Sequence, residues 1–153
     1  MTDPVRLFRV HFLVVLAAIL AVAGCGGGTA STASPSPGIN ITMTAQNSSG
    51  VSGTGTIVKG AGTFTVTIRL TGFKPNSSHV SHAHAGQFAQ PGGIAYALQQ
   101  VISDSSGSAT TSSTVIATYL VPTSGWYVNV HHGPDFTDAD YAPSDSCGDL
   151  SAS

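Results

Sequence analysis

The chain contains no glutamate, and charged residues of either sign make up only 8% of its 153 positions. No lysine or arginine follows Lys74, so the second half carries aspartate alone. Phosphate recognition needs clustered cations, and this distribution argues against a nucleic-acid partner. Cysteine occurs twice, at Cys25 and Cys147. No long stretch repeats apolar residues every three to four positions, so helical signals are nearly absent. No apolar run reaches the roughly 20 residues of a comfortable transmembrane helix. The longest, Val10 to Ala23, is interrupted by His11. No Ser-His-Asp spacing, phosphate loop or paired carboxylates stand out, and no catalytic residue is assigned.

The N-terminus has the layout of a targeting segment. Arg6 and Arg9 precede the apolar run, which ends Val22-Ala23-Gly24-Cys25. That ending resembles the bacterial lipobox, in which a small residue precedes a cysteine that is lipidated and becomes the mature N-terminus. The resemblance implies a signal peptide over residues 1–24, a lipid on Cys25, and a protein anchored to the outer face of a bacterial membrane, at the cell surface or in the periplasm. An ordinary secretory signal is the alternative. Acyl chains contribute about 0.8 kcal/mol per buried methylene, so two or three anchor firmly. Residues 25–38, rich in Gly, Ser and Pro, form a tether.

Residues 39–153 have the size of one domain. After Cys25, three cations against six aspartates leave a net side-chain charge of −3. Solubility therefore rests on Ser, Thr, Asn and Gly. Cys147 stands alone in this part, and three readings are open: a buried small apolar residue, a metal ligand, or an intermolecular disulfide.

Strand signals recur about every ten residues, separated by Gly, Pro, Asn and Ser. The clearest runs from Thr63 to Thr71, with Phe64, Val66, Ile68 and Leu70 on one face and Thr65, Thr67 and Arg69 on the other. Further strands are expected at Ile39–Ala45, Gly53–Lys59, around His79–His84, Ile94–Ile102, Ser108–Tyr119, Trp126–His131 and Cys147–Leu150. Turns are expected at Pro75-Asn76-Ser77, Asp104–Gly107 and Pro122–Gly125, with a break at Pro91-Gly92-Gly93 and an acidic loop from Gly133 to Asp145. Seven to eight short antiparallel strands imply an all-β Greek-key sandwich.

Five of the six histidines fall in two clusters, His79-Val80-Ser81-His82-Ala83-His84 and His131-His132. Alternate strand residues share a face, so His82 and His84 point the same way. With His131 brought in from another strand they make a transition-metal set, with His79 or His132 as a fourth ligand. Imidazoles suit copper or zinc, and binding is expected to fade below about pH 6, near the free histidine pKa. Asp135 or Asp138 is positioned to orient a ligand, and Asp138 and Asp140 read as a solvated loop. The competing reading is structural: histidines that hydrogen-bond across strands and cap loops.

Gly53-Thr54-Gly55-Thr56, Leu70-Thr71-Gly72-Phe73, Pro75-Asn76-Ser77, His82-Ala83-His84-Ala85-Gly86 and Gly125-Trp126-Tyr127-Val128-Asn129-Val130-His131 together resemble the bacterial chordin-like (CHRD) domains. Ser146-Cys147-Gly148-Asp149-Leu150 looks like the ending of related lipoproteins, and the whole is similar in pattern to Cu/Zn superoxide dismutase. The resemblance implies a Greek-key β-sandwich and leaves the role open: a metal-binding domain, a dismutase-like redox enzyme, or a metal-free module for an extracellular protein partner. Two departures bear on this. Related lipoproteins carry a second cysteine after the His-Ala-Gly segment, where this chain has Gln87-Phe88-Ala89-Gln90. The dismutase pattern needs further histidines between its copper-ligand segments and an arginine near its end, and this chain has neither.

Overall fold

The computed structural model describes residues 38–116 and 125–150. The expected signal segment, Cys25, nearly all of the tether, the end of the strand at Tyr119 and the turn at Pro122–Ser124 lie outside the described residues. Among the described residues the protein is all-β. The strands are β1 (Ile39–Ala45), β2 (Ser52–Lys59), β3 (Thr63–Thr71), β4 (Ser78–His79), β5 (Ser81–Gln87), β6 (Gln90–Ala97), β7 (Val101–Ile102), β8 (Ala109–Ile116), β9 (Trp126–His131) and β10 (Ser144–Asp149). A short 3-10 turn spans Ala139–Tyr141.

Eight strands join antiparallel in the order β6-β5-β9-β10-β1-β2-β3-β8, and β4 pairs with β7. Strands β1, β2 and β3 are hairpin-linked neighbours, and the last strand, β10, lies beside the first. The sheet is not flat. Strand β1 pairs with β2 from Ile39 to Met43 and with β10 only at Thr44 and Ala45, so it turns the corner between two halves. Phe64 of β3 meets Tyr96 of β6 edge-on at 5.1 Å and Trp126 of β9 at 6.2 Å. Those contacts join strands far apart in the sheet order, so the halves face each other as a sandwich.

Alternation builds the core. Phe64, Val66, Ile68 and Leu70 of β3 all point inward, against Ile41, Met43 and Ile57 from their own half and Ala83, Trp126, Val128 and Val130 from the other. The intervening Thr65 and Thr67 remain on the outside, where their hydroxyls bond those of Thr114 and Ser112 on β8. The corner at β10 leaves no room for a side chain at Gly148. A Cβ there would collide with Ile41 Cγ2 and lie 2.5 Å from Thr42 O, which is backbone and cannot yield cheaply. Gly148→Ala is expected to cost about 1–3 kcal/mol. Urea unfolding monitored by Trp126 fluorescence should show a lowered midpoint with an unchanged slope.

Three local expectations are corrected. Pro91-Gly92-Gly93 does not break the chain but lies within β6. This strand is at the sheet's edge, where a proline needs no ladder donor. Gly86, at φ 89°, and Gly92 let the β5–β6 hairpin close: a Cβ on Gly92 would sit 2.6 Å from Ala85 O. The strand expected over Ile94–Ile102 is split, with β7 leaving to pair with β4. Finally, the loop from Gly133 ends at Ser144, and Asp145 is a buried bulge residue of β10, inserted where Ser144 pairs with His131 and Ser146 with Val130.

Candidate metal centre

Register explains why two distant histidine segments meet. On β5 and β9, Ser81 and Ala83 pair with Val130 and Val128 on the core side, and Ala85 pairs with Trp126. His82 is opposite Asn129 and His84 opposite Tyr127, which puts these side chains on the outer face. His131, two residues beyond Asn129, shares that face by the period of two. Bulges in the β5–β6 pairing on both sides of His84 re-aim its ring. One ring nitrogen from each of His82, His84 and His131 lies within 4.8 Å of the others. The rings of His84 and His131 sit 5.7 and 5.4 Å from that of His82, each edge-on.

Hydrogen bonds fix which nitrogens are free. His131 Nδ1–H donates to Ala142 O at 2.7 Å, and His84 Nδ1–H reaches Gly92 O at 3.4 Å. Both rings therefore turn Nε2 into the cluster as an unprotonated donor. His84 Nε2 and His82 Nδ1 are buried and make no hydrogen bond. Burial, then the neighbouring His131 and His84, pushes the His82 pKa down to about 4. Burial also lowers that of His84, despite the opposing bond to Gly92. Burial thus favours the neutral ring at His82 and His84, the form that ligates a metal. This moves the expected loss of binding below the pH 6 that free imidazole implies.

Aromatic rings wall the cluster. Phe136 stacks on His82 at 5.7 Å and meets His131 edge-on at 4.9 Å, while Tyr127 stacks on His84 at 4.7 Å. The sequence held a signal for Tyr127 and Asn129, which share the parity of His131. It held none for Phe136, whose position depends on the path of the loop.

The other expected site residues are elsewhere. His79 Nδ1–H donates to His131 O at 2.9 Å, its Nε2 shares a 2.7 Å bond with Ser77 Oγ, and Asp145 Oδ2 is 3.5 Å away. His132 Nδ1–H donates to Asp145 Oδ1 at 2.9 Å. Neither joins the trio, because β9 ends at His131 and His132 turns toward the β10 bulge. His79 instead bonds the His131 backbone carbonyl, and His132 bonds Asp145. Asp135 accepts from Thr137, and Asp138 caps the 3-10 turn through the Asp140 N–H, so the partners that orient His84 and His131 are backbone carbonyls rather than these aspartates. Cys147 is buried and unbridged, and burial raises its thiol pKa to about 11. Its side chain has a hydrogen bond with Thr44, and it is not in the histidine group.

The donor set, three imidazoles from one sheet face, is of the kind that holds a transition metal. No family model matches the sequence, and no curated protein matches it.

Proposed function

We propose that this chain is a bacterial extracytoplasmic lipoprotein, anchored through Cys25, whose CHRD-like sandwich binds one copper or zinc ion through His82, His84 and His131. One observation carries the metal reading: the buried ring nitrogens without a hydrogen-bond partner among the described residues, His82 Nδ1 and His84 Nε2, both belong to the converging trio. A buried polar atom left unpaired costs about 1–3 kcal/mol, and a cation answers this one economically. At equal availability copper(II) binds such nitrogen sites more tightly than zinc. The lipid anchor is supported by Arg6, Arg9, the apolar run and Ala23-Gly24-Cys25.

The role is binding rather than turnover. An anionic substrate such as superoxide would meet a loop bearing Asp135, Asp138 and Asp140 and no cation, a field that repels it. The test is titration of the purified domain with Cu(II) and Zn(II), beside a His82→Ala/His131→Ala variant. One tightly held equivalent in the wild type alone is the expected result. Equal binding by both proteins would leave a metal-free module for an extracellular partner. Superoxide consumption by the copper-loaded domain is expected to be no faster than by free copper.

A further inference from the structure

The geometry points to Asn129 as the fourth protein donor of this centre, its side-chain amide oxygen joining the three imidazoles on one ion. The inference rests on the metal reading above and extends it to a residue of another chemical type.

Three observations converge on this side chain. Asn129 is 4% exposed on the outer face of β9, directly opposite His82 in the register and two residues from His131. Its Oδ1 is buried without a partner, and among the described residues the only other side-chain atoms in that condition are His82 Nδ1 and His84 Nε2. Its Nδ2–H donates to His131 Nε2 at 3.1 Å, the nitrogen that the Ala142 carbonyl leaves free to ligate.

That last bond has a consequence for the ion. A metal taking the His131 Nε2 lone pair removes the acceptor of Asn129 Nδ2–H and leaves that N–H directed at a cation. Half a turn of the amide about its last torsion exchanges N for O, a change of small steric cost because the two atoms are nearly the same size. The oxygen then sits where the nitrogen was, 3.1 Å from His131 Nε2. Two donors bound about 2.0–2.2 Å from one ion at roughly 90–110° are about 2.8–3.6 Å apart, so the spacing suits neighbouring ligands. The amide guards the ligand nitrogen of His131 before the ion arrives and supplies an oxygen afterwards. Three nitrogens and one oxygen form a four-coordinate set that favours Zn(II) or Cu(II) over the softer Cu(I).

The test uses Zn(II) affinity by chelator competition and the visible bands of Co(II) as a ligand-field probe, on wild type, Asn129→Leu and Asn129→Asp. Asn129→Leu is expected to weaken Zn(II) at least about tenfold and to change the Co(II) bands. Asn129→Asp keeps an oxygen in place and adds a charge, so it is expected to bind more tightly than wild type with the band intensity retained. Wild-type affinity and spectrum in a folded Asn129→Leu protein would overturn the role of Asn129 and leave the histidine trio standing. Failure of the wild type to bind would instead remove the trio itself. If Asn129→Leu does not melt cooperatively, Asn129→Asp decides: tighter binding supports the oxygen ligand, and equal or weaker binding overturns it.

Discussion

Saturating the trio with Zn(II) is expected to raise the unfolding free energy of the domain by about 4 kcal/mol at a free-ion concentration 1,000 times Kd. An ion that binds the folded state and not the unfolded one shifts the equilibrium by mass action, and these ligands meet only when β5 and β9 pair. Chemical unfolding followed by Trp126 fluorescence, with and without buffered Zn(II), measures the gain. His84→Ala and His131→Ala should each lose most of it, because each removes one of three nitrogens from the group. His132→Ala should keep it, since His132 bonds Asp145 instead. A gain that survived in all three variants would mean the ion binds elsewhere.

Acid is expected to destabilise the metal-free domain by about 3 kcal/mol between pH 6.5 and 4 through His82 alone, taking roughly 1.4 kcal/mol per pKa unit. The sign follows from the direction of the shift. His82 titrates near 6.5 in the unfolded chain and at about 4 in the folded one. Above pH 6.5 both forms are neutral and stability is flat. Within the window the unfolded chain takes up a proton that the folded chain refuses, so folding weakens as pH falls. Below the folded value both forms are protonated and the slope ends. Burial lowers His84 and His79 in the same sense, which steepens the decline. Urea midpoints in chelator at a series of pH values should show it, and His82→Gln should flatten the curve. A wild-type profile without slope in that window would mean the His82 ring is solvated and free to charge.

The same shifts bear on metal retention. Protons compete for the lone pairs that bind the ion, and His82 and His84 hold protons less well than free imidazole. A loaded site is therefore expected to hold its ion further into the acid range than the histidine sequence pattern alone indicates.

Much of the scaffold was legible in the chain. Period-two alternation marked β1 and β3 at their observed bounds and named the inward face of β3. It also placed His82 and His84 together, because a strand leaves no other choice. What it missed has a common cause. Pro91-Gly92-Gly93 reads as a break unless the strand is known to lie at an edge. Asp145 reads as loop unless the bulge in β10 is seen. His132 reads as a ligand unless the end of β9 and its partner Asp145 are known.

Local alternation and turn chemistry, which act between residues near in sequence, were enough to determine an all-β chain with His82 and His84 on one side of a strand. Which histidines converge with His82 and His84 depended on strand pairing across some fifty residues, and so did the placement of Phe136 beside His131. Tertiary structure alone decided this, because register between β5 and β9 is settled by the burial of whole faces and not by any neighbouring pair of residues.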